Sequence, residues 1–199
     1  MGVRLIDKTH WIFDMDGTLT HAIHDFDAIR KELGLPPGKP ILEALAELPT
    51  ADAAKLSEKL DAMEYDIAEK ATAQPGADDL LKRLASKNAT VGILTRNGKG
   101  IAHATLDACG LRHYFKDDNV VSRDCCAPKP DAAGVNLLLQ RWQTPAESAV
   151  IVGDYLFDLE AGRNAGVATV HLDVAGEYAW PDMSDICVKS LAELNGKIS

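Results

Sequence analysis

The chain has 199 residues, long enough to bury roughly 70% of its unfolded surface in one domain or in one domain with a modest insert. Hydrophobic residues at 46% and charged ones at 26% exclude disordered, collagen-like and disulfide-scaffold classes. A net charge of −9 repels polyanions, so a nucleic-acid partner is not expected, and an anionic ligand needs local positive charge to bind. No run reaches the ~18 apolar residues of a membrane span, and the first seven residues are too polar for a secretory leader. Cys109 and Cys187 are solitary, and Cys125 and Cys126 are adjacent, without a C-x-x-C pattern; the adjacent pair reads as small buried or half-buried residues. The expectation is a cytoplasmic protein with no membrane partner.

In chain order, the apolar run 10–13 predicts a first strand. Residues 21–73 contain no strand-like run and predict helices near 25–33, 40–48 and 51–71. In the first, Phe26, Ile29 and Leu33 form the expected buried stripe, leaving Arg30 and Lys31 to solvent. In the third the stripe is Leu56, Leu60, Met63 and Ile67. Strands follow at 90–94, 119–121, 149–152 and 168–172, with helical spacing over 77–86, 100–108 and 132–142 between them. A further helix start is expected at Thr144-Pro145-Ala146-Glu147, and helix stops at Gly110 and Gly166. Strands apolar on both faces, alternating with helices, predict an α/β fold: a parallel Rossmann-like sheet with helices on both faces and ligands at the carboxyl ends of the strands. Residues 1–20 and 74–199 form the expected core domain, and 21–73 a small helical cap hinged at 18–24 and 74–76.

Chemistry-bearing residues collect at those strand ends. Phe13-Asp14-Met15-Asp16-Gly17-Thr18 follows the first strand, and its two carboxylates, at i and i+2, would share a face. Like charges held close raise each other's pKa unless a cation intervenes, so a hard divalent ion is expected. Gly153-Asp154-Tyr155-Leu156-Phe157-Asp158 follows the fourth strand and brings two more acids to the same edge, Asp158 also being placed to cap the next helix. Thr95 ends the second strand, and Arg96 and Asn97 follow it where a phosphate would sit. Lys129 stands between Pro128 and Pro130 as a fixed ammonium. His21 and His24, just beyond the first acidic pair, are candidates for touching substrate.

With these residues in place, the chain resembles the haloacid dehalogenase superfamily of aspartyl-nucleophile phosphohydrolases, in its phosphoglycolate phosphatase-like branch. The resemblance rests on D-x-D-G-T at 14–18, the strand-ending Thr95, Lys129, and G-D-x-x-x-D at 153–158, in the family's order. It implies a magnesium-dependent phosphomonoesterase acting on a small phosphorylated metabolite, phosphoglycolate or a sugar phosphate, as a monomer or homodimer. Asp14 would be the nucleophile and Asp16 the general acid and base. Mg2+ would be held by Asp14, the Asp16 carbonyl, Asp154 and Asp158. Thr95, Arg96, Asn97 and Lys129 would hold the phosphoryl group. Ala132 stands where many relatives carry proline, and the short cap leaves room for a substrate larger than glycolate phosphate. Two alternatives share parts of this residue set: a phosphomutase of the same superfamily, and a receiver-type signalling domain that stores an aspartyl-phosphate without turnover. The spacing of the acidic pair and the helical insert favour the enzyme.

Overall fold

The computed structural model describes residues 3–198; the expected core boundaries also take in residues 1, 2 and 199, which lie outside the described residues. The strands are β1 (His10–Phe13), β2 (Thr90–Leu94), β3 (Val120–Val121), β4 (Ala149–Gly153), β5 (Ala168–Leu172) and β6 (Ile186–Val188). They form one parallel sheet in the order β3-β2-β1-β4-β5-β6. The helices are α1 (Phe26–Leu33), α2 (Ile41–Ala46), α3 (Thr50–Ala68), α4 (Ala77–Ser86), α5 (Lys99–Ala108), α6 (Ala133–Trp142), α7 (Leu156–Ala165) and α8 (Leu191–Lys197). This is the expected Rossmann-like α/β architecture.

Residue alternation along the central strands explains why both faces are covered. Trp11 and Phe13 of β1, with Val150 and Val152 of β4, pack on one face against Leu80 and Leu84 of α4, Leu106 of α5, and Leu191 and Leu194 of α8. Ile12 and Ile151 point to the other face, against Val135 and Leu138 of α6 and Ala161 of α7. Every β4 residue is buried, as the unbroken apolar run requires.

Helices α1 to α3 lie between β1 and β2 and carry their own apolar cluster. Leu60 packs among Ile29, Leu33, Leu35, Ile41, Ala44 and Leu45, with Leu56, Met63 and Ile67 at its border, so the stripe expected on the third helix is observed. The two segments joining these helices to the sheet pair with each other: His21 donates its amide to the Thr72 carbonyl at 3.0 Å, and Gln74 donates to Leu19 at 2.8 Å.

The structure corrects several local expectations. Phe26 is 51% exposed and stacks on His24 instead of joining Ile29 and Leu33 in the buried stripe. Arg30 is not simply solvated: it pairs with Asp27 at 2.5 Å and donates to the Lys39 carbonyl. At 144–148 only a three-residue 3-10 turn forms, because β4 begins at Ala149 and leaves no room for a helix. Cys125 is exposed rather than buried. Strand β6 and helix α8 have no counterpart in the sequence reading. Three residues at a sheet edge are too short for a periodic signal, although Ser190 is a regular N-cap, accepting from the Glu193 amide at 3.1 Å.

One glycine tests how closely α7 sits on the sheet. A Cβ at Gly162 would lie 2.4 Å from Ile151 Cγ2 and 2.7 Å from Thr169 Cγ2. In an exposed helix Gly→Ala stabilises, but here overpacking should win. Gly162→Ala is expected to destabilise by about 1–3 kcal/mol; urea unfolding checks this, and unchanged or raised stability would contradict it.

Candidate active site

The site forms where β1 and β4 end. Asp14 directly follows β1, and its amide extends the ladder by donating to the Val152 carbonyl at 2.9 Å. The chain then turns sharply through Met15 to Thr20, with Leu19 and Thr20 both donating to the Met15 carbonyl at 2.9 Å. Gly17 makes the turn feasible. Its φ is +92°, and a Cβ there would stand 2.2 Å from an Asp154 carboxylate oxygen, so backbone conformation and close approach both require glycine. Thr18 Oγ1 donates to Asp154 Oδ1 at 3.2 Å, tying this turn to the end of β4.

Carboxylate oxygens of Asp14, Asp154 and Asp158 lie within 4.8 Å of one another. Lys129, only 3% exposed, reaches into this group: its Nζ donates to Asp14 Oδ1 at 2.5 Å and to Asp158 Oδ1 at 2.6 Å. Burial works against the ammonium, yet the charges of Asp14 and Asp158 overcome it and raise the lysine's pKa. Asp158 sits three residues beyond the N-cap Tyr155, whose amide it accepts at 3.1 Å. It therefore serves both the helix terminus and the lysine.

Asp16 does not share the carboxylate cluster, contrary to the expected common face, because the chain has already left the strand. Its Oδ2 accepts from Asn97 Nδ2 at 2.7 Å, and its Oδ1 lies 3.7 Å from His24 Nδ1. Burial, with the nearby Asp14 charge, pushes the Asp16 carboxyl up to about 7. Asp154 is pushed up to about 8, chiefly by burial and then by the charges of Asp14 and Asp158.

Thr95 is buried at the end of β2 and accepts from the Asn97 amide at 3.1 Å. The β1–β2 register, which sets Phe13 beside Ile93, brings it to the same edge as Asp14. Arg96 is engaged elsewhere. Its guanidinium pairs with Glu43 of α2 at 2.6 Å, donates to the Lys129 carbonyl and lies 4.9 Å over the Phe157 ring. Of the two histidines, His21 is exposed, whereas the His24 side chain is 6% exposed.

Sequence reasoning missed a second bridge to the helices. Arg123, in the loop after β3, pairs with Asp61 at 2.5 Å and Glu64 at 2.7 Å on α3, and donates to the Arg96 carbonyl at 3.0 Å. Glu64 is buried, which pushes its carboxyl up despite the arginine. An arginine and two acids sixty residues apart carry no local spacing that marks them as partners.

The sequence profile of the haloacid dehalogenase-like hydrolases matches residues 11–172, which take in every one of these groups. The chain belongs to that family. A phosphoglycolate phosphatase of Rhodospirillum rubrum is 31% identical over 187 residues, covering 80% of this chain and 77% of its own. A phosphoglycolate phosphatase of Pseudomonas syringae pv. tomato is 27% identical, covering 85% and 71%. The crystal structure of a hydrolase from Pseudomonas syringae superposes with a TM-score of 0.79 at 24% identity, over 95% of this chain and 97% of that one, and bears out the fold. Among family hydrolases, the chain is of the phosphatase kind.

The carboxylate cluster has a measurable consequence. A folded Asp154 carboxyl near 8, against an ordinary 3.8, binds its proton where the unfolded chain has released it. The stability linked to this group is therefore full below about pH 4 and lost as pH rises toward about 8, and Asp16 acts in the same direction. With divalent metal chelated, the melting temperature should fall from about pH 5 to about pH 8, and Asp154→Asn should flatten the slope. Parallel profiles for the two proteins in thermal melts would contradict this.

Proposed function

We propose that the protein is a magnesium-dependent phosphomonoesterase that hydrolyses a small phosphorylated metabolite through an aspartyl-phosphate on Asp14. The observation that carries this reading is the grouping of Asp14, Asp154 and Asp158 at one rim, with a single buried lysine between two of them. Three acids so close, one with a carboxyl pushed up to about 8, fit a hard divalent cation, which prefers oxygen ligands. Asp14, Asp154 and Asp158 would hold Mg2+, with the Asp16 carbonyl as a further ligand. When bound, the ion supplies positive charge that lets an anionic nucleophile meet an anionic ester.

The chain's own residues account for the remaining work. An Asp14 oxygen attacks phosphorus, forming an acyl phosphate as the ester P–O bond breaks; Lys129, beside Asp14 Oδ1, stabilises the negative charge there. Asp16 gives its proton to the departing alkoxide. A carboxyl near 7 is suited to this, and the Asn97 amide fixes its orientation. Asp16 then takes a proton from the water that attacks the acyl phosphate, which restores Asp14 and releases inorganic phosphate. Thr95, Asn97 and Lys129 would hold the phosphoryl oxygens in line. Residues 21–73 act as a cap on the core of 1–20 and 74–199. Their separate apolar cluster, the paired connecting segments and the arginine bridges support that division.

Asp14→Asn is expected to lower turnover of p-nitrophenyl phosphate by about a thousandfold or more while leaving circular dichroism unchanged. Chelation of Mg2+ should abolish the wild-type rate, and repeated release of phosphate separates an enzyme from a domain that reacts once. Wild-type rates in the variant, or with chelator, would contradict the reading.

A further inference from the structure

His171 is a buried polar residue with no part in the mechanism. It stands on β5 between Val170 and Leu172, is 2% exposed, and its Nδ1 is sealed from solvent without a hydrogen-bond partner among the described residues. Burial favours the uncharged ring, yet even that form costs free energy when one of its nitrogens goes unmet. An apolar side chain would fill the same place at less cost, so packing alone does not call for an imidazole.

Position explains what the ring supplies. Gly153 and His171 are the last pair of the β4–β5 ladder, so Asp154, the next residue, stands beyond the strand. There the His171 ring takes over and donates to the Asp154 backbone carbonyl. A neutral imidazole has one N–H, and with Nδ1 unpartnered that donor is Nε2. Asp154 is thereby held twice, by the ring at its carbonyl and by the Thr18 hydroxyl, 3.2 Å from its carboxylate.

The ring is itself braced. Its centroid lies 5.2 Å from that of Trp180 and 6.1 Å from that of Tyr178, both on the segment after β5. Trp180 meets the Tyr155 ring edge-on at 5.2 Å, and the Tyr155 amide donates to Asp158 Oδ2 at 3.1 Å. These rings therefore support the stretch that carries both Asp154 and Asp158. Such support has a purpose, because holding a cation requires Asp154 ionised, and the charges of Asp14 and Asp158 act against that form.

We propose that His171 is a positioning residue for the metal site: through the Asp154 carbonyl it fixes the Asp154 carboxylate in the place where Mg2+ would bind. This rests on the reading of Asp154 as a magnesium ligand in the phosphatase above. His171 does not touch substrate, so its loss weakens metal binding and leaves ester binding alone.

The test titrates Mg2+ into the full chain by calorimetry, without substrate, beside KM for p-nitrophenyl phosphate at saturating Mg2+. His171→Phe keeps a ring and removes the donor. It should raise the Mg2+ dissociation constant at least about tenfold, the low end for outer-shell partners of metal ligands, with KM for the ester within about twofold. His171→Gln sets an amide nitrogen where Nε2 stands and should recover most of the loss. His171→Asn sets one where Nδ1 stands and should not, and this pair of amides carries the test if the Phe variant does not fold. On the same strand, Thr169→Val removes a hydroxyl that donates to the Met183 carbonyl at 2.8 Å; it should lower stability in urea and leave Mg2+ affinity unchanged. Wild-type Mg2+ affinity in His171→Asn, equal losses in His171→Gln and His171→Asn, or the same loss in Thr169→Val overturns the proposal, while metal-dependent turnover by the wild type upholds the phosphatase reading. A wild type that neither binds Mg2+ nor hydrolyses the ester overturns that reading and the proposal with it.

Discussion

Repulsion between carboxylates is the constraint around which this molecule is built. Asp14, Asp154 and Asp158 come from two strand ends and a helix start, and no apolar core would gather them unaided. One buried ammonium offsets part of their charge, and Lys129 is held so tightly between Asp14 and Asp158 that its own pKa rises in spite of burial. One positive charge cannot balance three negative ones at that separation, and at Asp154 burial, with the charges of Asp14 and Asp158 added to it, leaves a strongly raised pKa. The parts that hold these groups in place are accordingly stiff: a fully buried β4, a Gly17 turn pressed against Asp154, and the Thr18 hydroxyl tying the two together. Such stored electrostatic strain is common where chemistry is done, because a group that repels its neighbours in the resting protein is poised to accept a cation or give up charge.

The same electrostatic logic extends to the helices between β1 and β2. Their own apolar cluster makes them a separate packing unit, and the paired backbones at 19–21 and 72–74 join them to the sheet. Arg96 and Arg123 make the opposing contacts, and both stand on loops that directly follow the strand ends of the site. Arg96 also donates to the carbonyl of Lys129, which connects α2 through Glu43 to the loop that carries the lysine. Desolvated ion pairs of this type add specificity of arrangement more than they add stability.

Most of the core fold was legible because its signals are local. The runs at 11–13 and 149–152 are apolar on both faces, as a short strand covered on both sides reads. Asp14, Asp154, Lys129 and Thr95 were legible because each directly follows a strand or stands in a short loop at the carboxyl edge, where parallel sheets gather their ligands. What was not legible depends on contacts between distant segments. Arg123 with Asp61 and Glu64 has no sequence spacing to betray it, and Arg96 read as a phosphate contact because it follows Thr95 at a strand end, while its partner Glu43 lay far away in the chain. Phe26 fitted a helical stripe by period, yet the first turn of α1 projects beyond the cluster, where the ring stacks on His24. The different surroundings of exposed His21 and buried His24 were not legible either, since a non-helical segment offers no period by which to place residues three apart.

The account stands on Asp14 being the group that receives the phosphoryl moiety. The most direct measurement is mass spectrometry of peptides after acid quench of the protein during turnover with Mg2+ and p-nitrophenyl phosphate. The account predicts a phosphoryl group, labile to hydroxylamine, on the peptide carrying Asp14. A phosphoryl group found on another residue, or turnover with the Asp14 peptide unmodified at every quench time, would contradict it.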